Sequence, residues 1–223
     1  MLTVPFENLD IHLGKPIILD TRRFYRKIVV DKRGGYCYEL NGCFAWLLKK
    51  MGFEVSILSA KVAGKNGSFS PEFDHMNLLV RLEENLLVDV GFGDSFTEPK
   101  PIDIEDDTID HGYFYRIAGK NRVRILYRRA NQNSPWHSQY KFSLLPRQLS
   151  DFVLRNKYQQ TSPHSYFAQQ RMISRLTRSG RITLTDSKLI TTRDHERVIR
   201  DVQSPKEFDE LLFKHFQIII KKR

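Results

Sequence analysis

The chain has 223 residues, enough for one large domain or two to three small ones around a real core. Its longest apolar runs fall far short of the roughly 18 to 20 residues of a membrane-spanning helix, and its start lacks a signal-peptide pattern, so the sequence predicts a cytoplasmic protein without a membrane partner. With 36 basic and 26 acidic residues, the formal net charge is +10. This charge favours an anionic partner, such as nucleic acid or a phosphate-bearing ligand, without requiring one.

The order of predicted elements is helical at the start, β in the middle and mixed α/β at the end. Residues 37–51 show apolar side chains at helical spacing, and Gly52 follows as a stop. Period-two patterns predict strands at residues 53–62, 75–82, 85–92, 113–117 and 122–129. The acidic segment 103–110 lacks periodicity and is predicted to be a surface loop. Later elements are a helix after Pro146, a strand pair at 172–177 and 181–186, and a last helix at 204–216, where Ser204 and Glu207 form a capping box around Pro205.

The two cysteines differ in context. Cys43 lies on the apolar stripe of the predicted helix and is expected to be packed, and both thiols are expected to be reduced because six-residue spacing is poor for a disulfide. Cys37 starts the helix, where the backbone dipole favours a thiolate. Arg33 is expected to add to this effect, and the glycines at 34 and 35 to let the backbone bend around the sulfur. Residue type alone still favours a small buried hydrophobe at Cys37.

A nucleophilic thiol needs a base and a group that orients the base. His75 opens a predicted strand, and Asp89 interrupts an apolar strand, where a carboxylate is costly unless it is paired. If the two strands form a hairpin with a three-residue loop at 82–84, Asp89 lies opposite Asn77, and His75 is its diagonal neighbour on the same face. The alternatives are a surface histidine and an aspartate that binds backbone donors before the "GFG" turn. The histidines and cysteines lack zinc-ligand spacing, so no metal site is predicted.

These residues lie in segments that together resemble the arylamine N-acetyltransferase family. "RGGYCYELNG" resembles its R-G-G-x-C-x-E signature, "DHMNLLV" its histidine strand and "LVDVGFGDSF" its aspartate strand. "VPFENLDIHLGKPI", "YKFSLLPRQLSDF", "NKYQQTSPHSYF" and "SRLTRSGRITL" also resemble family segments, in the family's order. The resemblance therefore covers essentially the whole chain.

The resemblance implies an α+β fold with a cysteine-protease-like Cys-His-Asp core. Its parts would be a helical domain over residues 1–60, a β-barrel domain over 61–145 and an α/β lid over 146–223. Family members usually carry a further helical stretch ahead of the segment that starts here at residue 4, so the first domain is expected to be shortened. The resemblance also makes Cys37 the nucleophile, His75 the base and Asp89 the orienting group.

The implied reaction is a ping-pong transfer of an acetyl group from acetyl-coenzyme A to an arylamine, arylhydrazine or N-hydroxyarylamine. The resemblance places the cofactor on the loop 64–70, with Gly67 and Ser68 as backbone donors, and on three lid residues, Tyr158, Thr161 and Ser162. The aromatic acceptor is expected against Tyr36, Tyr38 and Phe92. Asp94 is acidic where several relatives carry another residue, and this is expected to affect acceptor preference.

Two other functions fit parts of the sequence. A cysteine hydrolase would use the same three residues, since fold does not fix substrate. A nucleic-acid-binding module would use the positive charge, but the basic residues are dispersed and form no known nucleic-acid motif.

Overall fold

A computed structural model describes residues 2–64, 66–193 and 196–220. The chain divides into two compact units. The first unit joins the N-terminal segment up to Ile18, the segment Arg22–Tyr36 and the C-terminal segment from Asn156. The second unit is built from Leu19–Thr21 and Cys37–Arg155. The three-part division suggested by the sequence stays a prediction.

The described residues form helices α1 to α6, which are Leu9–His12, Thr21–Tyr25, Cys37–Lys50, Val153–Thr161, Tyr166–Gln169 and Pro205–Phe216. A π-helical turn, Arg26–Val30, follows α2, and a 3-10 turn, Leu149–Phe152, precedes α4. None of the helices within these residues is long and apolar enough to cross a membrane.

Strands β1 to β13 are Phe6–Glu7, Glu54–Val62, His75–Arg81, Asn85–Val88, Lys100–Pro101, Thr108–Asp110, Tyr113–Ala118, Val123–Arg129, His137–Ser143, Met172–Thr177, Gly180–Thr185, Lys188–Arg193 and Glu196–Asp201. The strands predicted in the middle of the chain are confirmed, except that β4 ends at Val88 and not at residue 92. Strands β1, β5, β6, β9, β12 and β13 were not predicted. Most of them are short or alternate weakly between apolar and polar residues.

The second unit is a near-closed antiparallel sheet, in which the described strands follow the order β5-β4-β3-β2-β9-β8-β7-β6. Its core consists of apolar and aromatic side chains from most of these strands, including Leu58, Leu79, Leu126, Tyr140 and Phe142. Helix α3 packs on β2 and β3. Strand β3 is therefore buried along nearly its whole length, which a strand beside a helix and a core requires.

The outer strands β5 and β6 meet through side chains. The Asp110 carboxylate accepts hydrogen bonds from the backbone N–H groups of Thr97 and Glu98 at 2.8 Å, and from Lys100 Nζ at 3.0 Å. Both charged side chains are almost fully buried. The prediction that 103–110 is a surface loop is therefore wrong at its end: Thr108–Asp110 is a strand, and Asp110 turns inward because Lys100 and two amides pair with it.

The first unit contains the other sheet, with described strands in the order β1-β10-β11-β12-β13, and helix α6 packs against β11. The predicted hairpin between β10 and β11 is confirmed, with Thr177 paired to Gly180 across the turn. The predicted start of α6 is confirmed too, since the Ser204 side chain accepts the Glu207 N–H. The Glu207 carboxylate accepts a hydrogen bond from the Gln203 N–H at 2.6 Å, one residue before the Ser204 N–H that a capping box would use.

Replacing Asp110 tests the contact between the outer strands. We expect Asp110→Asn to lower the free energy of unfolding by roughly 2 to 4 kcal/mol at neutral pH, because it leaves the Lys100 charge buried without a counter-ion. Burial acts to raise the pKa of Asp110, but hydrogen bonds from Glu98, Thr97 and Lys100 lower it overall. The carboxylate's contribution to the free energy of unfolding is thus complete above its unfolded pKa and is lost as the pH falls through its folded pKa. The free energies of unfolding of wild type and variant should therefore converge as the pH falls below about 4.

Urea unfolding at neutral and acidic pH measures both effects. Asp103→Asn is the matched control, because its half-exposed carboxylate pairs only at the surface with Arg124 and Asn85. Equal losses in the two variants would contradict the role of Asp110.

Candidate active site

Cys37 is the first residue of α3, and only 4% of its surface is exposed. The backbone amides of Met76 and Tyr38 act to lower the pKa of its thiol. Met76 follows His75 on β3, so the thiol lies at the start of the histidine strand. Cys43 is also buried and, as predicted, occupies the packed part of the same helix.

His75 and Asp89 meet in the hairpin predicted from the sequence. Strands β3 and β4 pair from Arg81 with Asn85 to Leu78 with Val88 around the three-residue loop 82–84, and Asp89 is the first residue after β4. The predicted register is therefore confirmed over these four pairs, whereas Asp89 lies just beyond the strand that was predicted to contain it. His75 Nε2 lies 2.7 Å from Asp89 Oδ2, and both side chains are buried.

Asp89 is the most heavily bonded side chain of the site. Besides His75, the described donors to its carboxylate are Asn41 Nδ2 at 2.9 Å, the Gly91 N–H at 2.9 Å and the Tyr140 hydroxyl at 3.1 Å. Burial acts to raise the pKa of Asp89, but the charge and hydrogen bond of His75, with the bonds from Asn41 and Gly91, lower it overall. Asp89 is thus held as a carboxylate inside the protein.

Sequence reasoning missed Asn41 and Tyr140. Asn41 lies one helical turn after Cys37, and its side chain also donates to the Met76 carbonyl at 2.6 Å and accepts from the Val90 N–H at 3.0 Å. It therefore ties α3 to both the histidine strand and the aspartate loop. An asparagine on the buried side of a helix was the available signal, because a buried carboxamide needs partners.

The pairing with Asp89 determines the protonation pattern of the His75 ring. A carboxylate only accepts hydrogen bonds, so Nε2 must carry the proton. In the neutral ring Nδ1 is then an acceptor, and it is the nitrogen left to take a proton from a thiol.

The charge balance at Cys37 differs from the prediction. Burial raises the pKa of the Cys37 thiol, the charges of Asp89 and Asp74 raise it further, and the Met76 and Tyr38 amides act in the opposite direction. The expected help from Arg33 is absent from these influences. Its guanidinium instead pairs with Glu7 at 2.7 Å and Asp10 at 3.1 Å inside the first unit.

The expected role of the glycine at 34 is also corrected. A Cβ there would lie 2.1 Å from the Pro5 carbonyl oxygen, so the residue makes room for the segment before β1 and not for the sulfur. Gly91 is the glycine that approaches the nucleophile: its Cβ would lie 2.8 Å from both Cys37 Cα and Asn41 Nδ2. The first glycine of "GFG" thus lets the aspartate loop contact the helix start.

The three predicted acceptor contacts have different surroundings. The half-buried Phe92 ring packs on His75 and Tyr140, with centroids 5.1 and 5.0 Å away. Tyr38 has no exposed surface, and its hydroxyl donates to the Phe73 carbonyl at 2.6 Å. Tyr36 is equally buried, in the first unit, where its hydroxyl donates to Asn156. The geometry gives Tyr36 and Tyr38 packing roles, and only Phe92 lies against the histidine.

Comparison with known proteins identifies the chain. The family model described as N-acetyltransferase matches residues 1–223. The arylamine N-acetyltransferase of Escherichia coli K12 is 38% identical over 189 residues, which cover 82% of this chain and 66% of that enzyme. This chain belongs to the arylamine N-acetyltransferase family. It spans about two thirds of the length of this bacterial relative.

Solved structures of arylamine N-acetyltransferases match the fold. The Mycobacterium marinum enzyme in complex with CoA is 26% identical, with a TM-score of 0.87 over 96% of this chain and 81% of that chain. A Bacillus cereus enzyme is 27% identical, with a TM-score of 0.86 over 98% of this chain and 87% of that chain, and it has a unique Cys-His-Glu catalytic triad. In the present N-acetyltransferase the residue that contacts the histidine is Asp89.

The residues predicted to bind the cofactor of this N-acetyltransferase lie in a turn after β2 and at the end of α4. In the second unit, the Gly67 N–H donates to the Gly64 carbonyl, and the Ser68 N–H donates to Asn66 Oδ1. Both backbone donors are therefore engaged within their own turn. In the first unit, Tyr158, Thr161 and Ser162 lie at the end of α4, where the Thr161 hydroxyl donates to the Lys157 carbonyl and the Ser162 N–H to the Tyr158 carbonyl. Among the described residues no cluster of histidine, cysteine or acidic side chains could hold a metal ion.

Replacing Asn41 tests the framework of this N-acetyltransferase site. We expect Asn41→Ala to lower the free energy of unfolding by about 2 to 4 kcal/mol, because it leaves the Val90 N–H and the Met76 carbonyl short of a buried partner. Asn85→Ala is the control, since that side chain makes an exposed bond to Asp103 and should cost less than about 0.5 kcal/mol. Urea unfolding compares them, and a loss at Asn41 as small as that at Asn85 would argue against the framework.

Proposed function

We propose that this chain transfers an acetyl group from acetyl-coenzyme A to the nitrogen of arylamines, arylhydrazines or N-hydroxyarylamines, with Cys37 as carrier. The observation that supports it best is the buried hydrogen bond between His75 Nε2 and Asp89, next to a cysteine at a helix start, in a member of this family. Cys37, His75 and Asp89 then act as nucleophile, base and orienting group.

The first half-reaction forms acetyl-Cys37. His75 Nδ1 takes the thiol proton, and the thiolate attacks the thioester carbonyl. The Cys37 N–H at the start of α3 is a donor for the oxyanion. When the tetrahedral intermediate collapses, the bond to the coenzyme A sulfur breaks and the imidazolium returns its proton to that sulfur.

The second half-reaction releases the acetyl group. The acceptor nitrogen attacks the acetyl carbon, His75 takes the proton that the nitrogen loses, and Cys37 leaves and recovers a proton. Asp89 stays ionised and stabilises the imidazolium in both halves, as its lowered pKa allows. Two easier steps replace one difficult one.

Burial gives the thiol a defined resting state. Because burial raises the pKa of Cys37, the neutral thiol is favoured before substrate arrives. Proton transfer to His75 then accompanies attack. A neutral thiol also reacts less readily with other electrophiles.

The aromatic acceptor is placed against Phe92, whose half-buried ring lies beside His75. The donor's phosphates are placed along the loop 64–70. Support comes from Lys61 on β2, the strand that precedes this loop, and Lys141, which lies directly opposite it on β9 and has its Nζ 4.8 Å from the ring centroid of Phe69 in the loop. Within the described residues neither lysine forms an ion pair, and like charges in this arrangement favour a bound anion.

We further propose a three-part organisation, a cytoplasmic location and a role in the metabolism of foreign amines.

Incubation with labelled acetyl-coenzyme A tests the carrier role. We expect one acetyl group on Cys37, seen by peptide mass spectrometry, and its loss when an arylamine is added. Cys43→Ala should still be acetylated, whereas Cys37→Ala should carry no label. A folded protein without an adduct on Cys37 would refute the proposal, and loss of the adduct to water at the same rate without amine would indicate a hydrolase.

Replacing Asp89 tests the orienting role. Asp89→Asn should reduce turnover on the order of a hundredfold or more, because the carboxamide N–H can donate to Nε2 and moves the ring proton to Nδ1. Asp89→Glu keeps the charge and should retain more activity than the asparagine variant. Steady-state kinetics with one arylamine compare the three proteins, and full activity of Asp89→Asn would remove Asp89 from the mechanism.

A further inference from the structure

The backbone just before His75 is held in an uncommon conformation. Phe73 has a φ of 67°, in the left-handed region that bulky residues rarely adopt. Its carbonyl accepts the Tyr38 hydroxyl at 2.6 Å, and its ring packs edge-on against Phe152 at 5.2 Å. Such a residue persists where its surroundings fix it, so the next residue, Asp74, has a defined position.

Asp74 forms an ion pair with the start of α4. Arg155 Nε lies 2.7 Å from Asp74 Oδ1, and the two side chains are 19% and 13% exposed. Two residues earlier, Glu72 pairs with Arg147 at 2.8 Å, but with more exposure. The Asp74 pair is thus the less hydrated of the two, and its charges are less screened by salt.

Asp74 acts on the nucleophile. Burial raises the pKa of the Cys37 thiol most, and the negative charges of Asp89 and then Asp74 raise it further. Among the other ionisable groups, Tyr38 follows Cys37 on α3 and is influenced by the charges of Cys37, Asp74 and Arg155. His75 from β3 and Tyr140 from β9 both contact Asp89. The carboxylate of Asp89 is paired with His75. The negative charge of Asp74 is paired with the positive charge of Arg155, which also acts on Tyr38.

We propose that Arg155 is a positioning residue for acetyl transfer: by pairing with Asp74, it offsets the carboxylate that opposes the Cys37 thiolate. Arg155 acts through Asp74. The link to acetyl transfer depends on the function proposed above, but the effect on the thiol does not.

Replacing Arg155 and replacing Asp74 should change the rate of Cys37 alkylation in opposite directions. Arg155→Gln leaves Asp74 uncompensated, so the thiolate should form less readily, and Cys37 should be alkylated by iodoacetamide about threefold to tenfold more slowly at neutral pH. Asp74→Asn removes the opposing charge and should speed alkylation. In the double variant, the slowing caused by Arg155→Gln should disappear.

The experiment measures alkylation of Cys37 against pH by peptide mass spectrometry, without acetyl-coenzyme A. Arg155→Lys should behave nearly as wild type, because it keeps the charge. Arg81→Gln is the matched control: it removes an arginine paired with Glu54 at the exposed far end of β3 and should leave the profile unchanged.

Three results would overturn the proposal: equal slowing by Arg155→Gln with and without Asp74→Asn, equal slowing by the lysine and glutamine variants, or no acceleration by Asp74→Asn alone. The last comparison remains decisive if Arg155→Gln fails to fold. Because iodoacetamide needs no acetyl donor, absence of acetyl transfer together with the expected alkylation profiles would count against the proposed function alone.

Discussion

The second unit depends on one buried carboxylate. Asp89 is buried, so its charge must be stabilised by hydrogen-bond donors. These donors come from α3, from β3, from β9 and from the loop of Asp89 itself. The same contacts therefore hold α3, β3 and β9 around one point. They also fix the His75 ring, because Nε2 is committed to Asp89 and Nδ1 remains for the thiol. The positions of α3, β3 and β9 and the location of the proton on His75 thus both follow from the hydrogen bonds that the buried Asp89 carboxylate requires.

Asp110 follows the same principle at the outer strands of the sheet. Each aspartate accepts hydrogen bonds from backbone N–H and from a basic side chain, and each keeps a lowered pKa although burial acts to raise it. They differ in use: Lys100 stays paired with Asp110, whereas His75 can gain and lose a proton beside Asp89. Cys37 lies where these effects oppose each other, since the carboxylate that stabilises an imidazolium disfavours a nearby thiolate. Burial and the nearby carboxylates therefore favour the neutral thiol.

Local patterns predicted much of this structure. The helical spacing of apolar residues predicted α3, the alternation of apolar and polar residues predicted the register of β3 and β4, and the Ser204 cap predicted the start of α6. Each of these features depends on residues that are close in the sequence. Contacts between segments that are distant in the sequence could not be predicted from these local patterns. Asn41 and Tyr140 reach Asp89 across about 50 residues, Arg33 is taken up by Glu7 and Asp10, and Tyr38 is buried against Phe152. The catalytic roles, the cofactor contacts and the three-part division stay predictions.

The hydrogen bonds of Asp89 differ in the length of chain that they enclose. His75 and Asp89 are 14 residues apart and share a hairpin, whereas Asn41 is 35 residues from Met76 and 48 from Asp89. Closing a longer loop costs more chain entropy, and native pairing over long separations slows folding. We therefore expect the histidine and its carboxylate to pair before the helix that carries the cysteine docks. The order of assembly would keep the thiol apart from its base until the surrounding core exists.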